Sequence, residues 1–176
     1  MMKRGILLGI FIAILIIMTG CSTDTEKREQ AKQISQVEQE TTAPDIPVKI
    51  VGGNGQQLRL RDIYIDKPVF LNFWASWCPP CVKEMPHIDA LYKKYGDKIN
   101  FVVINVDSNE GDVKAFLQKN SFEMPIYRGD LNSISEAYHV NAIPVSFIID
   151  SRGKIISQHA GGMSEREMEK FLGPIL

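Results

Sequence analysis

Histidine and cysteine are scarce in this chain, with three of each in 176 residues. The histidines, His87, His139 and His159, are scattered, and only Cys78 and Cys81 lie close together. Zinc takes about four ligands, so a single CxxC leaves half a site and no metal is expected. Neither sign of charge is in excess: 20 Lys and Arg face 21 Asp and Glu, a formal net charge of −1. That balance gives no electrostatic case for a nucleic-acid partner. The chain has no internal repeat. It also has no flavin or nicotinamide signature, so no bound cofactor is expected.

Charge is absent from the N-terminus after Lys3 and Arg4. An unbroken apolar stretch runs from Gly5 to Met18, and no charge returns before Asp24. A basic start and a short apolar core form the pattern of an export signal. The following "IMTGC", Ile17 to Cys21, resembles the bacterial lipoprotein box, in which a small residue precedes a cysteine that becomes the lipidated mature N-terminus. The resemblance implies lipidation at Cys21, and an uncleaved N-terminal anchor is the alternative. Either places the domain outside the cytoplasm, tethered to a bacterial cell membrane. Residues 1–20 then form a signal peptide or anchor, and residues 21–45 a polar tether with too little apolar surface to fold alone.

The folded domain is expected over residues 46–176. "VKIVGGNGQQLRL" reads as two short strands around a Gly/Asn turn. "PVFLNFW" and "INFVVINVD" are nearly continuous apolar runs, as central buried strands require. A helix is expected from just after Cys78 to about Tyr95, ending at Gly96. "GDVKAFLQKN" is amphipathic, "MPIYRGD" is a short strand or loop, and "NSISEAYHV" is a short helix capped by Asn132. "PVSFIID", the turn "SRGK" and "IISQHA" form a hairpin, and "SEREMEKFL" carries a capping box of Ser164 and Glu167. Strands alternating with helices give an α/β domain: a central mixed sheet flanked by helices, with an N-terminal β-hairpin.

Within this frame the two cysteines have three readings. A Cys78–Cys81 bridge closes a very short loop, worth on the order of 2 kcal/mol, and is a poor structural staple. Half a zinc site lacks its other ligands. A redox pair explains more. A CxxC where a strand feeds a helix puts the first sulfur at the helix N-terminus, whose partial positive charge favours the thiolate that attacks disulfides. Pro79 suits the first helical position, where its missing N–H costs nothing.

"FLNFWASWCPPC" resembles the active-site segment of thioredoxin-like proteins. With "CVKEMP", "AIPVSFIID" and "SRGKI" it is similar to the membrane-tethered thiol–disulfide oxidoreductases of the TlpA/ResA/CcmG group. The resemblance implies a thioredoxin-like fold and a redox-active Cys78–Cys81 disulfide, with Cys78 as nucleophile and Cys81 as resolving thiol. It implies a cis Ile143–Pro144 bond beside the cysteines. Trp77, Pro79, Pro80, Ile143 and Pro144 would then meet the substrate chain. Trp74 reads as core and Trp77 as an exposed active-site lid, whereas Met85 and His87 read as structural.

Two positions separate the chain from cytoplasmic thioredoxin. Asn72 stands where thioredoxin carries a buried Asp, and an Asn cannot take a proton from Cys81. Glu84, three residues after Cys81, shares that helix face. Spacing alone reads Glu84 as a solvated helix charge, but the resemblance implies an active-site acid that tunes thiol protonation and moves protons. The two prolines between the cysteines carry no N–H. The nearby backbone donors for a Cys78 thiolate shrink to the Cys81 amide, which favours a reductant over an oxidant.

The resemblance further implies a CcdA/DsbD-type membrane thiol donor and apocytochrome c as the disulfide-bearing substrate. Three alternatives stand beside it: a general envelope disulfide reductase, a thiol peroxidase and a Sco-like copper-delivery module. The peroxidase pattern needs a Pro that this segment lacks, and Sco-like proteins use CxxxC rather than CxxC.

Overall fold

The strand Val69–Trp74 (β3) is the hub of the sheet, and all six of its residues are buried. In the computed structural model, residue 28, residues 42–64 and residues 66–176 are described. Residues 1–20, Cys21 and most of the tether therefore lie outside the described residues. Apart from residue 28, everything described belongs to one compact unit, Glu38–Leu176.

β3 pairs in parallel with β4 (Asn100–Asn105), which pairs in parallel with β5 (Ile126–Arg128). On its other side β3 pairs antiparallel with β6 (Val145–Ile149), Asn72 lying opposite Ser146. β1 (Pro47–Ile50) and β2 (Gln57–Arg59) form the N-terminal hairpin, and β1 docks antiparallel on β5. β7 (Ile155–Ala160) covers the β6 edge. The sheet has seven strands in the order β2-β1-β5-β4-β3-β6-β7. Gly52 and Gly55 turn the first hairpin at φ values of 77° and 79°, a region that only glycine enters freely. This is the expected mixed sheet with an N-terminal hairpin.

The α-helices that accompany it are α1 (Leu60–Ile63), α2 (Pro79–Tyr95), α3 (Glu110–Lys119), α4 (Leu131–Tyr138) and α5 (Glu165–Leu172), and a 3-10 turn, Gly173–Ile175, follows α5. α2 begins directly after Cys78, and the Gly96 N–H at its end donates to the Tyr92 carbonyl at 2.8 Å. Pro86 lies inside α2 and has no N–H for the preceding turn. The helix continues through it because Met85, Ile88 and Leu91 are buried and hold it to the core. The capping box of α5 forms as expected: Ser164 and Glu167 each accept from the other's backbone N–H. This fixes the loop that precedes α5.

Two details depart from the expectation. Asp130, not Asn132, caps α4, because the helix starts at Leu131 and the Asp130 carboxylate accepts the Ser133 N–H at 2.8 Å. Packing also begins upstream of Ile46. Ala43 is buried, its N–H donates to the Gly153 carbonyl at 2.7 Å, and the Tyr138 hydroxyl donates to the Pro44 carbonyl. Ala43 and Ile46 supply apolar surface that the sheet edge can bury, and this draws the end of the tether onto the domain.

Candidate active site

The end of β3 delivers Cys78 to the head of α2. Cys78 is the N-cap residue, and its Sγ accepts the Cys81 N–H at 3.4 Å. Pro79 and Pro80 occupy the first two helical positions, so that amide stands in place of the donors a different dipeptide would add. Cys78 and Cys81 form a disulfide, with Cα atoms 5.3 Å apart. Cys81 is fully buried, whereas Cys78 retains 4% exposure. Only the first sulfur offers an edge to a partner. Trp77 beside it is 65% exposed, unlike the fully buried Trp74.

Two neighbouring loops frame the pair. The Ile143–Pro144 bond is cis, and the Ile143 carbonyl lies 3.8 Å from Cys78 Sγ. That carbonyl stands where it can meet an incoming chain. On the β4 side, Asp107 is buried and its Oδ1 accepts the Ser76 N–H at 3.0 Å. This bond fastens the turn that presents Trp77 and Cys78. Arg128 donates to the Asp107 carbonyl at 2.7 Å and braces the same loop. A groove of about 670 Å³ opens beside Trp77, lined by Val48, Lys49, Asp107, Arg128 and Leu131 among others.

Glu84 is not a solvated helix charge. It is 1% exposed, and its two oxygens take separate donors: Asn72 Nδ2 at 2.8 Å to Oε1 and the Met163 N–H at 3.1 Å to Oε2. Burial pushes its carboxyl up to about 7, and the bonds from Met163 and Asn72 offset part of that rise. A carboxyl poised there exchanges protons readily near neutral pH. Gly162 fits the same corner: a Cβ built on it would stand 3.3 Å from the Pro80 carbonyl oxygen and 3.8 Å from Glu84 Oε2. A bare glycine lets the β7–α5 loop close over the head of α2.

Cys78, Cys81, Trp77, Pro79, Pro80, Ile143 and Pro144 thus lie together beyond the end of the central strand β3, with Glu84 on the helix that Cys78 caps and Cys81 occupies. Met85 is core, and His87 sits 4.0 Å from Glu165, away from this cluster of contacts. Sequence reasoning did not find Ser146, Asp107 or Met163. An Asn and a Ser inside otherwise apolar strands were available signals, since buried polar groups need partners. Met163 acts through its backbone, which leaves no signal in the residue type.

The prolines make one prediction. Pro79→Gly restores an N–H at the helix head, so the Cys78 thiol of the reduced protein should ionise at lower pH. Absorbance titration of the thiolate checks this, and an unchanged or higher midpoint contradicts it.

Comparison with known proteins agrees with this geometry. The Redoxin family profile matches residues 38–172. The chain is 32% identical over 165 residues to thiol-disulfide oxidoreductase ResA of Bacillus cereus, covering 93% of this chain and 94% of that one. Among solved structures, a putative thiol:disulfide interchange protein DsbE from Chlorobium tepidum superposes with a TM-score of 0.69 at 29% identity, over 77% of this chain and 95% of that one. The pneumococcal exposed lipoprotein thioredoxin Etrx1, from Streptococcus pneumoniae, superposes with a TM-score of 0.65 at 28% identity, over 74% and 99%.

Proposed function

The chain belongs to the Redoxin family and, within it, to the ResA-like thiol–disulfide oxidoreductases; from that premise we propose that it is a membrane-tethered, extracytoplasmic reductase of partner-protein disulfides. The observation that carries this is the Cys78–Cys81 pair at the head of α2, backed by a buried carboxyl poised near neutral pH.

In the reduced protein the Cys78 thiolate attacks one sulfur of a partner disulfide. A mixed disulfide forms, and the partner's other sulfur leaves as a thiolate. Cys81 then gives its proton to Glu84 and attacks the Cys78 sulfur. The second partner thiolate leaves, and Cys78–Cys81 closes. Two electrons pass to the partner, whose two thiolates take up two protons. Trp77, the two prolines and the Ile143–Pro144 segment form the surface on which the partner chain lies.

A membrane thiol donor of the CcdA/DsbD type returns two electrons to the pair, and apocytochrome c, with its paired haem-attachment cysteines, is the proposed substrate. The tether is Cys21 with its lipid. The likeness to the exposed lipoprotein Etrx1 supports that reading, as does the polar segment that follows Cys21. No helix among the described residues is long and apolar enough to cross a membrane.

Trapping tests the proposal. Cys81→Ala removes the resolving thiol, so partners should stay disulfide-linked to Cys78 in the native organism. Recovery of apocytochrome c supports the maturation role. A broad set of envelope proteins in its place favours a general reductase.

A further inference from the structure

The polar chain behind the cysteines runs deeper than Glu84. Asn72 lies in the middle of β3, fully buried, between Val103 of β4 and Ser146 of β6. Its Nδ2 donates twice, to Glu84 Oε1 at 2.8 Å and to Ser146 Oγ at 3.0 Å. Its Oδ1 is buried and has no hydrogen-bond partner among the described residues. A buried acceptor without a donor carries a desolvation cost, so this amide is arranged around its neighbours rather than for its own satisfaction.

The two donors to Glu84 differ in kind. The Met163 N–H belongs to the backbone and can only donate. It suits an ionised carboxylate, and it directs the proton of a neutral acid toward the other oxygen, Oε1. Oε1 faces Asn72. A carboxamide has a donor and an acceptor on one planar group, exchanged by a half-turn about its last side-chain torsion. With Nδ2 toward Glu84 it donates to the carboxylate. With Oδ1 toward Glu84 it accepts from the acid. Ser146 tolerates either orientation, because its hydroxyl both donates and accepts. Leu has no such group. An ionised Asp at this position would set a second negative charge against Glu84.

We propose that Asn72 is a positioning residue for disulfide exchange: its carboxamide holds the Glu84 carboxyl in both states the reaction needs, donating to it when ionised and accepting from it when protonated. Glu84 changes state once in each direction per cycle, when Cys81 loses its proton and when the dithiol is restored. The amide follows by turning, with Ser146 as its pivot, and the carboxyl keeps its place. This deepens the reductase reading above and rests on it.

The groups facing Glu84 are few. Asn72 comes from β3, Ser146 stands behind it on β6, and Met163 comes from the β7–α5 loop. On its own helix Cys81 lies one turn before Glu84, and neither Cys81 nor the N-cap Cys78 titrates while disulfide-bonded. Burial and the two hydrogen bonds account for the shift, with no charged side chain among the causes.

The oxidised full-length protein therefore isolates Glu84, and NMR of its side-chain carboxyl carbon reads the titration directly. In the wild type, the Asn72 side-chain amide resonances should shift with pH at the same midpoint as the Glu84 carboxyl. In Asn72→Leu both states of Glu84 lose a side-chain partner, but the carboxylate loses the stronger, charge-assisted bond, so the Glu84 midpoint should rise by about one pH unit. The pH profile of the resolving step should move upward with it. An Asn72 amide that stays unchanged while Glu84 titrates overturns the proposal, as does an Asn72→Leu midpoint equal to that of the wild type. If Asn72→Leu does not fold, the wild-type resonances decide alone. A parallel assay of insulin disulfide reduction by the wild type tests the reductase reading itself. Its failure would leave the Glu84 titration untouched, so the two are distinguishable.

Discussion

Glu84→Gln should slow the resolving step about 10²-fold at pH 7, the lower end of what a positioned general base contributes. The first attack, by Cys78, should change far less, so mixed disulfide accumulates in rapid-quench experiments where the wild type shows little. The variant keeps the shape of the side chain and removes its proton chemistry. Equal resolving rates in the two proteins would remove Glu84 from the mechanism.

The same substitution has a signature in stability. Folding moves the Glu84 carboxyl from an ordinary 4.5 to about 7. Between those values the native protein holds more protons than the unfolded chain, so its stability falls as pH rises through that window. The stabilising contribution is complete below about pH 4.5 and gone above about pH 7. One such group makes the fold less stable by about 3 kcal/mol from one end of the window to the other. Glu84→Gln should lack that decline. Urea unfolding of the two oxidised proteins at pH 4.5 and pH 8 checks it, through the change in their difference.

The second large effect separates the two sulfurs. Cys78→Ser should lose disulfide reduction by at least about 10³-fold, because no other thiol in the domain reaches a partner. Cys81 is fully buried, in contrast to the partly exposed Cys78. Cys81→Ser should instead attack once and stop, with one partner chain bound per protein. The asymmetry follows from burial and from the helix head, which stabilises charge on the first sulfur.

Much of this site was legible in the residues themselves. The apolar run of β3, the CxxC directly after it and Pro79 at the helix start specify a strand feeding a helix with sulfur at the junction. The capping box of α5 was equally plain, since Ser164 and Glu167 have the required spacing. Two kinds of information were not legible. Spacing on α2 leaves the depth of Glu84 open, because the face that carries it is covered by a loop nearly eighty residues later, ending at Met163. Asp107 is similar: it reads as the end of a strand, and only the fold brings its carboxylate to the Ser76 N–H. The cap of α4 falls on Asp130 rather than Asn132 for a local reason. Asp130 and Asn132 are both good caps, and the exposure of Leu131 hid which residue begins the helix.

By the proposed reaction, two electrons pass from Cys78 and Cys81 to a partner disulfide. Mixing the reduced protein with a disulfide-bearing protein and counting bonds tests it most directly. One partner disulfide should open for each Cys78–Cys81 bond formed, with that bond located by mass spectrometry of the peptide that spans residues 78–81. Undiminished reduction by Cys78→Ser, or partner thiols appearing without closure of that bond, would contradict it.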